Sequence, residues 1–274
     1  MQHTGKRLRR GKSIRHPAEA NTKLLKKKVS MYLIYIFTFL IVYSLFFSFI
    51  FKIQFIQIVG NDSINTQEIE NIIWEAVDKN IALALNRNNY WLLSTSYLLN
   101  SVTQEYAFED ITIKKKFPNT ISLHVIERMG RLIWKTGPDY YVVDAHGVIT
   151  RRLHEMRLVT SGDIPVIVDK NESEVLVSDT VLNDSMIASI LEAYQYYNEY
   201  IDRDGLKFDR FEIDQKDSSF YKIFTRDGLE IHMNDQSLAV GQLTKLKRVI
   251  DTENISFHNL SYINLRVENQ VIYK

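Results

Sequence analysis

The stretch VSMYLIYIFTFLIVYSLFFSFIF, residues 29–51, determines how the chain is organised. Its 23 residues include no charge, no proline and no glycine. As an α-helix rising about 1.5 Å per residue it reaches ~34 Å, enough to cross a hydrocarbon core of ~30 Å. Buried helices of soluble domains rarely lack a polar face over such a length. The pattern therefore predicts a single transmembrane helix from Val29 to Phe51.

Charge on either side of this stretch predicts its orientation. Residues 1–28 contain ten lysines and arginines and one acidic residue, and the apolar stretch is directly preceded by Lys26, Lys27 and Lys28. Beyond the stretch, Lys52 is the only nearby basic residue. Because positive charge is retained on the cytoplasmic side of a span, we expect the N-terminus in the cytoplasm and the rest of the chain outside.

The basic tail and the span together indicate an uncleaved membrane anchor. The apolar run is too long for a signal peptide, and no A-x-A-like site follows it. Residues 1–28 have few large apolar side chains, so we expect a disordered tail. Such a tail can contact anionic lipid headgroups, each lysine or arginine contributing ~1 kcal/mol. A nucleic-acid-binding arm is the alternative, but the tail lacks interleaved aromatic residues.

Composition excludes several kinds of site. The sequence contains no cysteine, which rules out disulfides, zinc–thiolate sites and cysteine nucleophiles. No two histidines stand at metal-ligating spacing, and neither a zinc-protease motif nor a phosphate-binding glycine loop occurs. The pair Ser219 and Lys222 fits S-x-x-K, but it falls on a predicted strand, where the two side chains do not share a helix face. We therefore predict no enzyme, no cofactor, no metal and no small-molecule substrate.

The first stretch outside the membrane predicts a β-α-α-β-β order, because strand and helix periods alternate along it. The predicted elements are a strand at 52–59, a helix from Thr66 to about Leu85, an extended piece at 90–93, a helix from about Ser96 to Gln104, and hairpin strands Glu109–Phe117 and Thr120–Glu127.

The remainder predicts a β-rich fold with two helices. The predicted strands are 131–136, 140–144, 164–169, Phe208–Asp214, Phe220–Thr225, Leu229–Met233, Tyr262–Val267 and Gln270–Tyr273, and the helices are about Asp179–Tyr200 and about Ser237–Asp251. The fold class is therefore α+β. A chain without a catalytic constellation but with several strand edges suggests a contact function, since an edge binds a partner by adding a strand.

Three segments resemble one family. FIQIVGN (55–61), FEDITIKKKFPNTISLHVIERMGRLIW (108–134) and YINLRVENQVIYK (262–274), with Asp144, Gly147 and Ile149 between them, resemble the FtsQ/DivIB bacterial cell-division proteins. The chain departs from the family pattern in three places. Met129 and Gly130 replace the usual Pro-x after Glu-Arg, Asn264 replaces the acid before Leu-Arg, and Ile121 replaces the usual leucine.

The resemblance implies a domain organisation and a function. It implies a POTRA domain at 52–128, linked in the family to septal recruitment, and an FtsQ-type β domain at 129–274. It also implies a bitopic divisome scaffold in the cytoplasmic membrane at the division septum. Such a scaffold binds FtsB/DivIC-type and FtsL-type single-pass proteins and helps couple septum assembly to peptidoglycan synthesis. The alternatives are a POTRA-bearing component of polypeptide export or envelope assembly, and a membrane-anchored cell-wall enzyme.

The resemblance places the family's partner-binding edge at Gln270–Lys274, which contains the last predicted strand, beside Tyr262–Val267. The candidate partner-binding residues are Tyr262, Asn264, Arg266, Gln270, Val271, Ile272, Tyr273 and Lys274. Arg266 is the expected charged contact, and a solvated strand residue is its alternative reading.

Overall fold

The computed structural model describes residues 17–82, 85–153, 163–214, 219–252, 257 and 260–274. The first part contains helix α1 (Pro17–Phe47), a 3₁₀ turn (Phe49–Phe51), strand β1 (Phe55–Val59), helix α2 (Thr66–Val77), strands β2 (Asn80–Ala82) and β3 (Leu85–Asn86), helix α3 (Thr95–Thr103), and strands β4 (Phe108–Lys116) and β5 (Thr120–Glu127).

The second part contains strands β6 (Leu132–Thr136), β7 (Asp139–Val143), β8 (Ile149–Arg152) and β9 (Val166–Asp169), helix α4 (Asp184–Tyr200), strands β10 (Phe208–Ile213), β11 (Phe220–Thr225) and β12 (Glu230–Asn234), helix α5 (Ala239–Thr252), and strands β13 (Tyr262–Asn264) and β14 (Ile272–Tyr273). The predicted α+β class is therefore confirmed.

Helix α1 is longer at its start and shorter at its end than predicted. It begins at Pro17, so residues 17–28 are helical rather than disordered, since alanine, leucine and lysine are good helix formers that extend the apolar helix. It ends at Phe47 because Ser48 adopts an extended conformation (φ −71°, ψ 140°) and caps the 3₁₀ turn. Its portion Lys26–Phe47 is long and apolar enough to cross a membrane. The predicted tail residues 1–16 lie outside the described residues.

The first part forms what we call the proximal unit, a three-stranded sheet covered by α2 and α3. The strand order is β1-β5-β4, with β1 parallel and β4 antiparallel to β5. One hydrophobic core, built from side chains between Ile53 and Val125, joins the sheet to both helices. Its largest fully buried members are Ile69, Ile73, Leu98, Ile121 and Leu123. The predicted β-α-α-β-β order is present.

Two predicted elements of the proximal unit are wrong. Helix α2 ends at Val77 instead of Leu85, where Asp78, Lys79 and Asn80 interrupt the apolar spacing, and β2 and β3 follow it as a small ladder. The predicted position of Ala84 in that helix lies outside the described residues. Residues 90–93 form a turn instead of an extended piece, because the Asn89 side chain accepts the Trp91 N–H in an Asx turn.

The second part forms what we call the distal unit, a nine-stranded sheet with α4 and α5 on one face. The strand order is β14-β13-β12-β11-β10-β9-β6-β7-β8. A second, separate core, built from side chains between Leu132 and Leu265, joins the helices to the sheet. The proximal and distal units thus have separate cores, while the domain bounds 52–128 and 129–274 stay a prediction.

Several predicted bounds in the distal unit are wrong. Helix α4 starts at Asp184, because the Asn183 side chain accepts the Met186 N–H and caps it there. Strand β13 ends at Asn264 instead of Val267, and β14 begins at Ile272 instead of Gln270.

Candidate protein-interaction surface

The two ends of the large sheet differ in how they are covered. At the β8 end, the proximal unit lies against the strand: the Ala107 N–H donates to the Thr150 carbonyl at 2.7 Å, and Tyr106 forms an isolated bridge with Arg151. At the other end, β14 is the last strand in the order and pairs with β13. Proteins usually cover or shorten a sheet edge because it can recruit another strand. Within the described residues, β14 is short, and no further strand follows it in the sheet order.

The register across the sheet determines which side chains β14 presents. Ile231, Ile263 and Tyr273 lie opposite one another on β12, β13 and β14, on the face covered by the helices. The adjacent row on the other face, which we call the open face, runs through Glu212, Lys222, His232, Asn264 and Ile272. Polar residues therefore occupy this row until it ends at the half-exposed Ile272 on the sheet edge.

The charges of the open face are paired among themselves. His232 Nε2 lies 2.9 Å from Glu230, and Lys222 Nζ lies 3.4 Å from both Glu230 and Asp214. Burial acts to raise the pKa of Glu230, but the bond to His232 and the charge of Lys222 bring that pKa below its usual value. The same carboxylates overcome the effect of burial and raise the pKa of Lys222. Lys222, half of the S-x-x-K pair, thus has a structural role in this network.

The eight predicted partner-binding residues divide into three groups. Tyr262, Asn264, Ile272 and Lys274 alternate onto the open face, where the Tyr262 ring stacks on His232 at 5.3 Å. Val271 and Tyr273 belong to the covered face at its rim, and Val271 packs against the core. Arg266 and Gln270 lie in the connection between β13 and β14.

Arg266 is tied to the sheet rather than extended into solvent. Its Nε donates to Asn264 Oδ1 at 3.0 Å, and its guanidinium lies 4.9 Å from the centre of the Phe220 ring. It borders a concave pocket of about 310 Å³ that is also lined by Glu212, Asp214, Tyr221, Lys222 and His232. The predicted charged contact therefore has a fixed position next to β13, and its role in partner binding stays a prediction.

A lysine that sequence reasoning missed holds the connection before β14. Lys245, on α5, donates to the carbonyl oxygens of Leu265 and Val267, each at 2.7 Å. Burial lowers the pKa of this lysine. A single ammonium that bonds two carbonyls of one loop fixes the path of that loop, and with it the place where β14 begins. The one sequence feature that indicates this role is the position of Lys245 on the side of α5 that faces the sheet.

Replacing Lys245 with methionine is expected to loosen β14 without unfolding the distal unit. The variant leaves the two carbonyls without their charged donor, a loss of about 1–3 kcal/mol, so the amide hydrogens of β13 and β14 exchange faster with solvent. The matched control is Lys247→Met on the same helix, which removes only an exposed, solvent-screened pair with Asp251. Equal exchange in both variants would contradict the positioning role of Lys245.

Two other residues quoted for the family resemblance lie near the junction between the two units, and Arg128 joins them. Glu127 accepts the N–H groups of Ser63 and Ile64. Burial acts to raise the pKa of Glu127, but hydrogen bonds from the Ser63 hydroxyl and from these N–H groups bring that pKa below its usual value. Arg128 Nη1 lies 2.8 Å from Asp144, which is 4% exposed and also accepts the N–H groups of a tight turn. These motif residues therefore stabilise the fold near β7 and β8, at the opposite end of the sheet from β14.

The three remaining predicted site residues lie on α1. Lys26, Lys27 and Lys28 lie exposed on α1 at the start of its apolar portion. Among the described residues, no group of three or more His, Asp or Glu side chains is arranged to hold a metal ion. The absence of catalysis stays a prediction.

Comparison with known protein families gives a match for the distal unit. A sequence profile of the family described as cell division protein FtsQ/DivIB, C-terminal, matches residues 132–266, which spans β6 to the end of β13. Residues 132–266 belong to the FtsQ/DivIB family. The family predicted from the quoted motifs is thus confirmed, and with it the broad class of cell-division protein.

Two similar proteins carry the same family name. A cell division protein DivIB from Clostridium acetobutylicum is 28% identical over 99 residues, which is 36% of this chain and 36% of that protein. A cell division protein DivIB from Clostridium tetani is 24% identical over 112 residues, 40% of this chain and 39% of that protein. The chain therefore spans less than two fifths of the length of the curated relatives it matches.

Proposed function

We propose that the chain is a bitopic scaffold of the division machinery. In this proposal α1 anchors it in the cytoplasmic membrane at the septum, with Lys26, Lys27 and Lys28 on the cytoplasmic side. The distal unit then binds FtsB/DivIC-type and FtsL-type single-pass proteins outside the membrane. By holding these proteins together it helps couple septum assembly to peptidoglycan synthesis.

The observation that carries this proposal is the difference between the two edges of the large sheet. The β8 edge is sealed by Tyr106 and Ala107 of the proximal unit, whereas β14 is the terminal strand at the other end. A strand that lies beside β14 gains main-chain hydrogen bonds, and pockets for alternate side chains add specificity. Ile272 and Tyr273, 41% and 44% exposed, supply apolar surface on both faces of that edge.

The charge pattern supports a partner that binds along the edge rather than across the open face. Glu230 pairs there with Lys222 and His232, and Glu212 pairs with Arg210, so the carboxylates of this face already have basic partners. The row of side chains on the open face ends at the sheet edge in the apolar Ile272. A partner segment with alternating apolar residues fits this surface better than a polyanion or a small charged molecule.

Hydrogen exchange tests the proposal directly. The full chain in lipid nanodiscs is mixed with the extracytoplasmic segment of an FtsB/DivIC-type protein, and amide exchange is followed by mass spectrometry. We expect the partner to slow exchange in β13 and β14 and to leave β8, at the opposite end of the same sheet, unchanged. Slowed exchange at β8 alone, or no change at either end when the partner is bound, would contradict the proposal.

A further inference from the structure

The end of α1 is attached to the proximal unit without a free linker. The Asn89 amide donates to the carbonyl oxygens of Leu45 and Phe46, both at 3.1 Å, and Asn89 is 3% exposed. These carbonyls belong to the last turn of a helix, where no following helical N–H group bonds them. The Tyr90 N–H also donates to the Phe51 carbonyl at 2.7 Å. The proximal unit is therefore in contact with the helix end itself.

A cluster of aromatic rings surrounds this attachment. Phe51, Tyr90, Trp91 and Phe117 contact one another with ring centres 5.3–6.5 Å apart. With the neighbouring Phe49 we call them the junction rings. They come from three separate segments, namely the 3₁₀ turn, the turn after β3 and the turn between β4 and β5. The fold therefore collects these side chains at one place.

The junction rings are not buried within the protein. Phe49, Trp91 and Phe117 are 70%, 50% and 65% exposed. Since an aromatic side chain buries about 150–250 Å² when covered, the three rings leave a few hundred Å² of apolar surface open. A patch of this size on a soluble surface usually marks a contact.

The position of the cluster identifies what covers it. The apolar portion of α1 from Val29 to Phe47 rises roughly 28 Å at 1.5 Å per residue, close to the ~30 Å thickness of a hydrocarbon core. The junction rings begin two residues after Phe47 and therefore lie at the level of the headgroups. Tryptophan and tyrosine are enriched at this depth because their rings are apolar and their tips are polar. Lys52, exposed beside the rings, is placed to meet lipid phosphates.

We propose that the junction rings are seated in the extracytoplasmic leaflet, at the boundary between headgroups and acyl chains. The proximal unit then rests on the lipid surface and does not swing above it. The inference rests on α1 crossing the membrane, as proposed above. The Asn89 bonds and the ring contacts act together: one fixes the unit to the helix end, and the other fixes it to the bilayer. The β14 edge is thereby held at a defined height above the membrane.

Quenching of a site-specific fluorophore by nitroxide-labelled lipids tests whether the junction rings contact the membrane. The sequence contains no native cysteine, so a single introduced cysteine can be labelled. Full-length variants Phe117→Cys and Phe49→Cys carry a thiol-linked fluorophore and are reconstituted without partners into vesicles of phosphatidylethanolamine and phosphatidylglycerol. A fraction of the lipids bears a nitroxide near the headgroup. Leu238→Cys, on an apolar side chain that is 76% exposed in the distal unit, is the matched control. Phe39→Cys, within α1, reports insertion of the span.

We expect quenching at residues 117 and 49 to exceed quenching at residue 238 several-fold, and to persist at high salt because the contact is apolar. Quenching at 117 and 49 no greater than at 238, with strong quenching at residue 39 by lipids labelled deep in the acyl chain, overturns the lipid seat and leaves the anchor intact. Loss of quenching at residue 39 overturns both. Protection of residue 117 only after addition of a partner protein assigns the rings to that partner and also overturns the inference.

Discussion

Ile272→Glu is expected to weaken capture of an FtsB/DivIC-type partner strongly while the distal unit stays folded. A partner strand beside β14 places its side chains against residue 272. In the variant, the glutamate carboxylate loses its hydration there and gains no ion pair. Disrupting an interface residue of this kind weakens the free energy of binding by ~2 kcal/mol or more, which corresponds to a loss of affinity of about 30-fold. Tyr273→Glu places a charge on the other face of the same strand and is expected to act in the same way.

The control for this prediction must also exchange an exposed apolar side chain for a carboxylate. Leu176 is 74% exposed and precedes α4, where the neighbouring Ser178 and Asp179 bond to Ile149 of β8. Leu176→Glu is therefore expected to leave capture unchanged. Affinity is measured with the purified full chain and the partner's extracytoplasmic segment, and folding by thermal unfolding. Wild-type affinity in both Ile272→Glu and Tyr273→Glu would reject the edge as the binding surface.

The elements of this fold were predictable where periodicity is strong. The strands β4, β5, β10, β11 and β12 lie within about two residues of their predicted bounds, because alternating or β-branched runs end at clear turns. The ends of α1 were not. Residues 48–51 are as apolar as the rest of the predicted span, and only the backbone conformation of Ser48 shows that the helix stops.

The edge position of the last strand was predictable from the sequence, but the long-range contacts around the sheet were not. The last strand was expected at an edge from the family resemblance, and β14 lies at the end of the sheet order. The sequence could not show that Ala107 of the proximal unit covers β8, since that contact joins residues 43 positions apart, Ala107 and Thr150. Nor could it show that Lys245 reaches Leu265 and Val267, or that Asn89 reaches the end of α1. Contacts between distant segments leave no local pattern.

Gly147→Ala is expected to destabilise the distal unit strongly. Gly147 has φ +77°, a conformation that costs an L-residue about 1–2 kcal/mol. A Cβ atom there would lie 2.0 Å from the Leu182 carbonyl oxygen and 3.1 Å from Ile187 Cδ1. The Gly147 carbonyl also accepts the Val181 N–H at 2.8 Å, which fastens the segment before α4 to the turn between β7 and β8. The backbone clash adds about 1–3 kcal/mol, the usual range for forced overpacking.

Gly228 provides the matched control, because it shares the backbone conformation without the crowding. Its φ is +86°, and a Cβ atom added there meets nothing within 4 Å. Gly228→Ala is thus expected to lower the free energy of unfolding by only the conformational cost, and the difference between the two variants isolates the clash with Leu182. Chemical denaturation of the purified protein measures both, and equal losses would contradict the close approach at Gly147.

Gly147→Ala and Ile272→Glu together are expected to separate stability from binding. Gly147 lies in the turn before β8, at the opposite end of the sheet from β14. Gly147→Ala is therefore expected to lower stability and, at a temperature where the protein is still folded, to leave partner affinity unchanged. Ile272→Glu is expected to do the reverse. If Gly147→Ala weakens binding in the folded protein as much as Ile272→Glu does, then the two ends of the sheet are coupled, and β14 does not bind as an independent edge.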